Sequence, residues 1–203
     1  MNDRTPQCGD ELHTRGNGAF HRLQAWFVEL PREDPTLSTH VAAFVSNSKI
    51  IEAVSPKVRE VEWPIYKAWL NDNGFEWCIL RMEEPPLSED DQAKFRSALQ
   101  SAVGHSYSKV ELVGQALDGL ISKVFCREVH LFRNLVDVVP QTVICSGLIG
   151  HAWVQIGRLQ SYMGRANPDE LWDFREEQMV IGEVRSVDHS RGWTEPFDDL
   201  KDS

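Results

Sequence analysis

The chain lacks the features that would place it in several broad classes. No cluster of Lys and Arg stands out, and 21 basic against 31 acidic residues leave a formal net charge of −10. A nucleic-acid backbone would be repelled rather than gathered. No run approaches the ~20 apolar residues that cross a bilayer, and neither a leader segment nor a lipidation signal is visible. A cytoplasmic location is the expectation, with neither nucleic acid nor a membrane span involved. The four cysteines, Cys8, Cys78, Cys126 and Cys145, are scattered, without the close pairing that structural zinc or a redox dithiol requires. His13, His21, His105, His130, His151 and His189 show neither metal-ligand spacing nor a His-Glu-x-x-His helix. No metal or other cofactor is called for, and no internal repeat or low-complexity tract interrupts the chain.

What remains has an ordinary globular composition: 203 residues, 41% apolar and 26% charged, enough for one domain with a buried core. Residues 1–19 and 188–203 are polar and read as loose ends around a single domain over residues 20–187. Alternating segments at Thr39–Val45, Lys49–Val54, Val58–Trp63 and Glu76–Met82 read as an antiparallel meander. After Pro85-Pro86 the period becomes helical. Ser88 is the expected N-cap with Asp91 three residues on, then Phe95, Leu99 and Val103, and Gly104 is the expected stop. A second helix over Lys109–Phe125 places Val110, Val113, Leu117, Leu120 and Val124 on one stripe. A third begins close to Cys145, with Leu148, Ile149, Ala152, Trp153 and Ile156 on its apolar face and Gly157 as its end. Asn167-Pro168 opens a short fourth through Leu171 and Phe174. Strands first and helices second predict an α+β fold, an antiparallel sheet or barrel with helices on one side.

Cys145 is the residue with chemical promise. An extended apolar approach, Val143-Ile144, turns into a helix at the cysteine itself. Free N–H groups and the positive end of the helix dipole favour thiolate there and can also hold an oxyanion. A thiolate needs a base, and His40 stands at the start of a strand. If Ser46-Asn47-Ser48 is a three-residue hairpin loop, residue 42 opposes 52, and His40 shares a face with Glu52 as a diagonal neighbour. A two-residue loop would put them on opposite faces. Nucleophile, base and orienting acid are the set that thiol catalysis requires.

These residues resemble the permuted papain-like hydrolases of the NlpC superfamily, the YiiX-like group, in which the His strand precedes the nucleophile. The resemblance rests on Thr39-His40-Val41-Ala42-Ala43-Phe44-Val45 with Ile50-Ile51-Glu52-Ala53, on Gly104-His105-Ser106-Tyr107, on Ile144-Cys145-Ser146 and on Asn167-Pro168-Asp169-Glu170-Leu171. It implies a papain-like fold with Cys145 as nucleophile, His40 as base and Glu52 as the group that holds it. Tyr107 and Ser146 would contact substrate. Two departures stand out. Gly147 replaces an acidic residue common after Cys-Ser, and Gly16-Asn17-Gly18 is a poor substitute for the family's Gly-Asp strand entry before the histidine. The implied reaction is cleavage of an amide, a peptide or isopeptide bond of cell-wall type, in a small peptide or acyl substrate. A thioesterase or acyltransferase acting on lipids and a non-catalytic binding or phage-particle protein are the alternatives.

Overall fold

The computed structural model describes residues 5–16, 38–125, 142–159, 171 and 183–190. It is α+β. In chain order the elements are β1 (Glu11–Arg15), β2 (His40–Phe44), β3 (Lys49–Val54), β4 (Lys57–Glu62), α1 (Trp63–Asp72), β5 (Glu76–Glu84), α2 (Glu89–Ser101), β6 (Ser106–Tyr107), α3 (Lys109–Phe125), β7 (Thr142–Val143), α4 (Cys145–Gln155) and β8 (Glu183–His189). The strands form one sheet in the order β7-β6-β4-β3-β2-β1-β5-β8. Neighbours are antiparallel except β6 and β7, which run parallel. Among the described residues the sheet is open, and no pairing of its edge strands closes it into the barrel that was the other expectation. No described helix is long and apolar enough to cross a membrane.

The β2–β3 hairpin has the three-residue loop. The Val45 N–H donates to the Lys49 carbonyl at 2.9 Å, Phe44 opposes Ile50, and Ala42 opposes Glu52. Because side chains alternate across a sheet, this register sorts the residues into two faces. Val41, Ala43, Ile51, Ala53 and Val58 pack with Phe95, Leu99, Leu148, Ile149, Ala152 and Trp153 under α2 and α4. Leu12, Ala42, Phe44 and Ile50 pack on the opposite face with Trp63, Tyr66, Leu70, Trp77 and Ile79. Helices therefore cover both faces, correcting the expectation of one. The added helix, α1, begins at Trp63-Pro64, with proline in its first turn, where the missing N–H costs nothing.

Five further expectations change. Residues 11–15 belong to a central strand, β1, held between β2 and β5, rather than to a loose end. Cys8, read as part of a polar tail, is buried in the core. Of the four strands expected in the meander, β2, β3 and β4 are successive neighbours, but β5 pairs with β1 and not with β4. Asp188 and His189 lie in β8, and the Ser190 N–H donates to the Trp77 carbonyl at 2.8 Å. In α3 the helix bounds are as expected, yet Val113, Leu117, Leu120 and Val124 are exposed while Asp118 and Ser122 are buried. The periodicity located the helix, but tertiary packing turned its small and polar residues inward.

The caps behave as their chemistry dictates. Ser88 accepts from the Asp91 N–H at 3.1 Å and Asp91 accepts from the Ser88 N–H at 3.4 Å, closing a capping box on α2. Gly104 and Gly157 adopt positive φ after α2 and α4, as left-handed helix ends require. Leu171 is buried, whereas Asn167, Pro168, Phe174 and Cys126 lie outside the described residues.

Gly9 and Asp10 immediately precede β1. Gly9 has φ +94°, and a Cβ there would overlap Leu87 Cδ1. The Asp10 carboxylate takes two hydrogen bonds from Arg81, at 2.8 and 2.6 Å, and one from the Gln7 N–H at 2.8 Å. Gly9→Ala should therefore cost about 1–3 kcal/mol from left-handed strain and crowding. Urea denaturation checks this: an unchanged midpoint would mean that the turn relaxes freely.

Candidate functional site: a thiol, an imidazole and a buried carboxylate

His40 is the first residue of β2, where the start of α4 comes against the sheet. The Ile144 backbone is extended (φ −102°, ψ 169°), and no side chain caps α4. The N–H of Ser146 and the N–H of Val41 both serve the Cys145 sulfur. Burial alone would push the Cys145 thiol up, but the His40 charge and these donors outweigh it and hold the thiol below its ordinary value. Burial likewise opposes the His40 imidazolium. The Cys145 thiolate and then the Glu52 carboxylate overcome that opposition and raise His40 from 6.5 to about 10. Both shifts favour a thiolate–imidazolium pair.

Glu52 is fully buried and His40 keeps 19% of its side chain exposed, so the imidazole edge is where solvent meets the group. His40 Nε2 lies 3.0 Å from Glu52 Oε2, leaving Nδ1 as the ring nitrogen for the thiol. The Tyr66 hydroxyl donates to the same Oε2 at 2.7 Å. Arg59 donates to Oε1 through Nε at 2.8 Å and Nη2 at 2.7 Å. Burial would raise the carboxyl, but hydrogen bonds from His40, Tyr66 and Arg59 bring it from 4.5 to about 2. The Tyr66 phenol is pushed far up by burial and by the Glu52 charge, so it remains a donor. The group is thus a buried anion with all its donors in place.

The other expected site residues fall nearby. Tyr107 in β6 stands opposite Val143 of β7, the strand that leads into Cys145, and packs half-buried against the core cluster that contains Cys145. Ser146 is fully buried, and among the described residues its Oγ is the buried side-chain polar atom without a hydrogen-bond partner. Among the remaining thiols, Cys78 is buried, and Cys8 contacts the Gln92 carbonyl at 3.5 Å, burial pushing its thiol up. Trp63, Trp77 and Trp153 are core residues, while Trp69 is 46% exposed and stacks on Tyr66 at 5.6 Å. The described residues contain no group of three or more His, Cys, Asp or Glu placed to hold a metal ion.

A buried chain of polar side chains joins the two sides of the site. Trp153 Nε1 on α4 donates to Glu11 Oε1. Glu11 Oε2 lies 3.0 Å from His13 Nε2, His13 Nδ1 lies 2.9 Å from Ser38 Oγ, and Ser38 Oγ donates to the His40 carbonyl at 3.3 Å. These contacts tie the helix of Cys145 to the strand of His40, and buried polar groups paired in this way specify one arrangement of the elements they join.

Sequence reasoning missed Arg59 and Tyr66. Arg59 was within reach: a two-residue turn at Ser55-Pro56 pairs 54 with 57 and sets Arg59 opposite Glu52, the register observed. Tyr66 lies on α1, which strand periodicity did not reveal.

No family model and no curated protein matches this chain. Among solved structures it is similar to the crystal structure of the metalloprotein YiiX from Escherichia coli O157:H7, at 15% identity and a TM-score of 0.48, over 91% of this chain and 90% of that one.

Proposed function

We propose that the chain is a cysteine hydrolase of the permuted papain-like kind, cleaving an amide bond in a peptide or acyl substrate. One observation carries the reading. The His40 imidazole is held between the Glu52 carboxylate, at 3.0 Å, and the Cys145 thiol at the start of a helix. The Gly9-Asp10 pair immediately before β1 resembles the family's Gly-Asp strand entry and supports the reading. A single-domain organisation over residues 20–187 needs extension at both ends, because β1 and the end of β8 are part of the sheet.

In the reaction, the Cys145 thiolate attacks the acyl carbon and the carbonyl electron pair moves to oxygen. The backbone N–H groups at the start of α4 hold that oxyanion. As the carbon–nitrogen bond breaks, His40 gives its proton to the leaving amine, and the acyl group stays on sulfur as a thioester. Neutral His40 then takes a proton from water, hydroxide adds to the thioester, and the thiolate departs. Glu52 keeps the imidazole oriented throughout. Ser146, whose buried hydroxyl costs free energy while it lacks a partner, and Tyr107 are the substrate contacts.

Incubation with an N-acyl peptide amide and an acyl thioester, followed by mass spectrometry, tests the proposal. An acyl adduct on the Cys145 peptide is expected, removable by hydroxylamine, and Cys145→Ala should abolish both adduct and turnover. Turnover that survives Cys145→Ala, or no adduct from either substrate class, overturns the hydrolase reading in favour of a binding protein that keeps the shape of the fold.

A further inference from the structure

From the way the Glu52 carboxylate is shared, we infer that Tyr66 and Arg59 are positioning residues that weaken Glu52 as a partner for His40. They thereby keep the imidazolium acidic enough to release its proton. The inference rests on the hydrolase reading of the site and deepens it.

Geometry carries the argument. Glu52 Oε2 accepts two hydrogen bonds, from His40 Nε2 at 3.0 Å and from the Tyr66 hydroxyl at 2.7 Å. The phenol therefore competes with the imidazole for one oxygen, from the shorter distance. Oε1 is occupied by the Arg59 guanidinium through two nitrogens, at 2.8 and 2.7 Å, and such charge-assisted bonds are the strong ones. The groups at this cluster come from five elements: Cys145 from α4, Arg59 from β4, Tyr66 from α1, and the His40–Glu52 pair itself from β2 and β3. On the remaining side β1 sets Thr14, an uncharged residue, opposite His40.

A buried carboxylate facing imidazolium alone would hold its proton tightly, because opposite charges interact strongly out of water. Once the Cys145 thiolate has been consumed in the attack, an imidazolium still stabilised in that way is a poor general acid, since proton transfer weakens as the donor's pKa rises above the working pH. Tyr66 and Arg59 draw charge from the carboxylate, and Arg59 adds a positive charge on the far side. Packing alone does not account for the phenol: phenylalanine would fill the same buried place, and the hydroxyl makes a directed bond to Glu52.

The test is the titration of His40 by NMR, from its imidazole Cε1–H resonance, in Cys145→Ala protein, where no thiolate obscures the Glu52 effect. Adding Tyr66→Phe should raise the His40 titration by about one unit, the scale of one lost charge-assisted bond. Adding Arg59→Gln, at a half-exposed side chain, should raise it at least as far. Tyr66→Phe that leaves the titration in place assigns Tyr66 to packing. A downward shift in either variant would show that these residues hold Glu52 in position without weakening it. Either result overturns the inference, and Arg59→Gln decides the matter should Tyr66→Phe fold poorly. The hydrolase reading fails separately, if Cys145→Ala itself does not move His40 from its place in the native protein.

Discussion

His40→Ala should slow iodoacetamide labelling of Cys145 at pH 6 by about 10²-fold, even though it opens space beside the sulfur. A free thiol with a pKa near 8.5 is less than about one per cent thiolate at that pH, whereas a thiol paired with imidazolium is largely ionised. The gain is somewhat smaller than the change in thiolate fraction because a less basic thiolate is a weaker nucleophile. The sign of the pH effect follows from the two shifts. The pair forms as pH rises through the depressed Cys145 value and is lost as it rises through about 10, where His40 gives up its proton. Labelling of native Cys145 should thus be rapid in mild acid, and His40→Ala should return it to the rising alkaline profile of an ordinary thiol. Accessibility argues the opposite way: Cys145 is 4% exposed, and removing the ring beside it would speed labelling if access were limiting. Faster labelling in His40→Ala would therefore sink the ion pair. Cys78, buried in β5, serves as the internal control.

The grouping of Cys145, His40 and Glu52 was legible because it depends on local rules. A three-residue loop fixes a hairpin register, and the register decides that His40 and Glu52 share a face; the observed Ala42–Glu52 pairing is the one that loop length dictates. The helix at Cys145 was legible from Leu148, Ile149, Ala152 and Trp153, all of them buried. The elements that escaped are those whose polar side chains are satisfied by partners far away in the chain. β1 reads Glu-Leu-His-Thr-Arg, polar enough to pass for a tail, because its Glu11 and His13 are buried only in company with each other, Ser38 and Trp153. A sequence shows the polarity of such residues and not the partners that satisfy it. The same holds for Tyr66, which reads as one more core aromatic until α1 brings its hydroxyl to Glu52. In α3 the apolar stripe gave the helix and misjudged its orientation, since periodicity measures a face and not what the face meets.

Glu52→Ala should destabilise the protein by about 3–5 kcal/mol, the cost of breaking a buried ion pair from one side. The carboxylate is fully buried, and its removal strands the His40 imidazolium and the Tyr66 hydroxyl while Arg59, half exposed, can turn to solvent. Glu52→Gln keeps the shape and an acceptor oxygen but loses the charge, so it should cost less than alanine does. The pH dependence separates charge from shape. Glu52 titrates near 4.5 when unperturbed and near 2 in the folded protein. A carboxylate depressed on folding stabilises fully above its unfolded value and loses that contribution as pH falls toward the folded one. The stability gap between native protein and Glu52→Gln should hold steady above about pH 5 and shrink continuously toward pH 2. Urea denaturation at several pH values measures it. A gap that does not change with pH would mean that Glu52 contributes through packing and hydrogen bonds alone. A gap that closes in acid while His40→Ala removes most of it at neutral pH would place the energy in the Glu52–His40 pair.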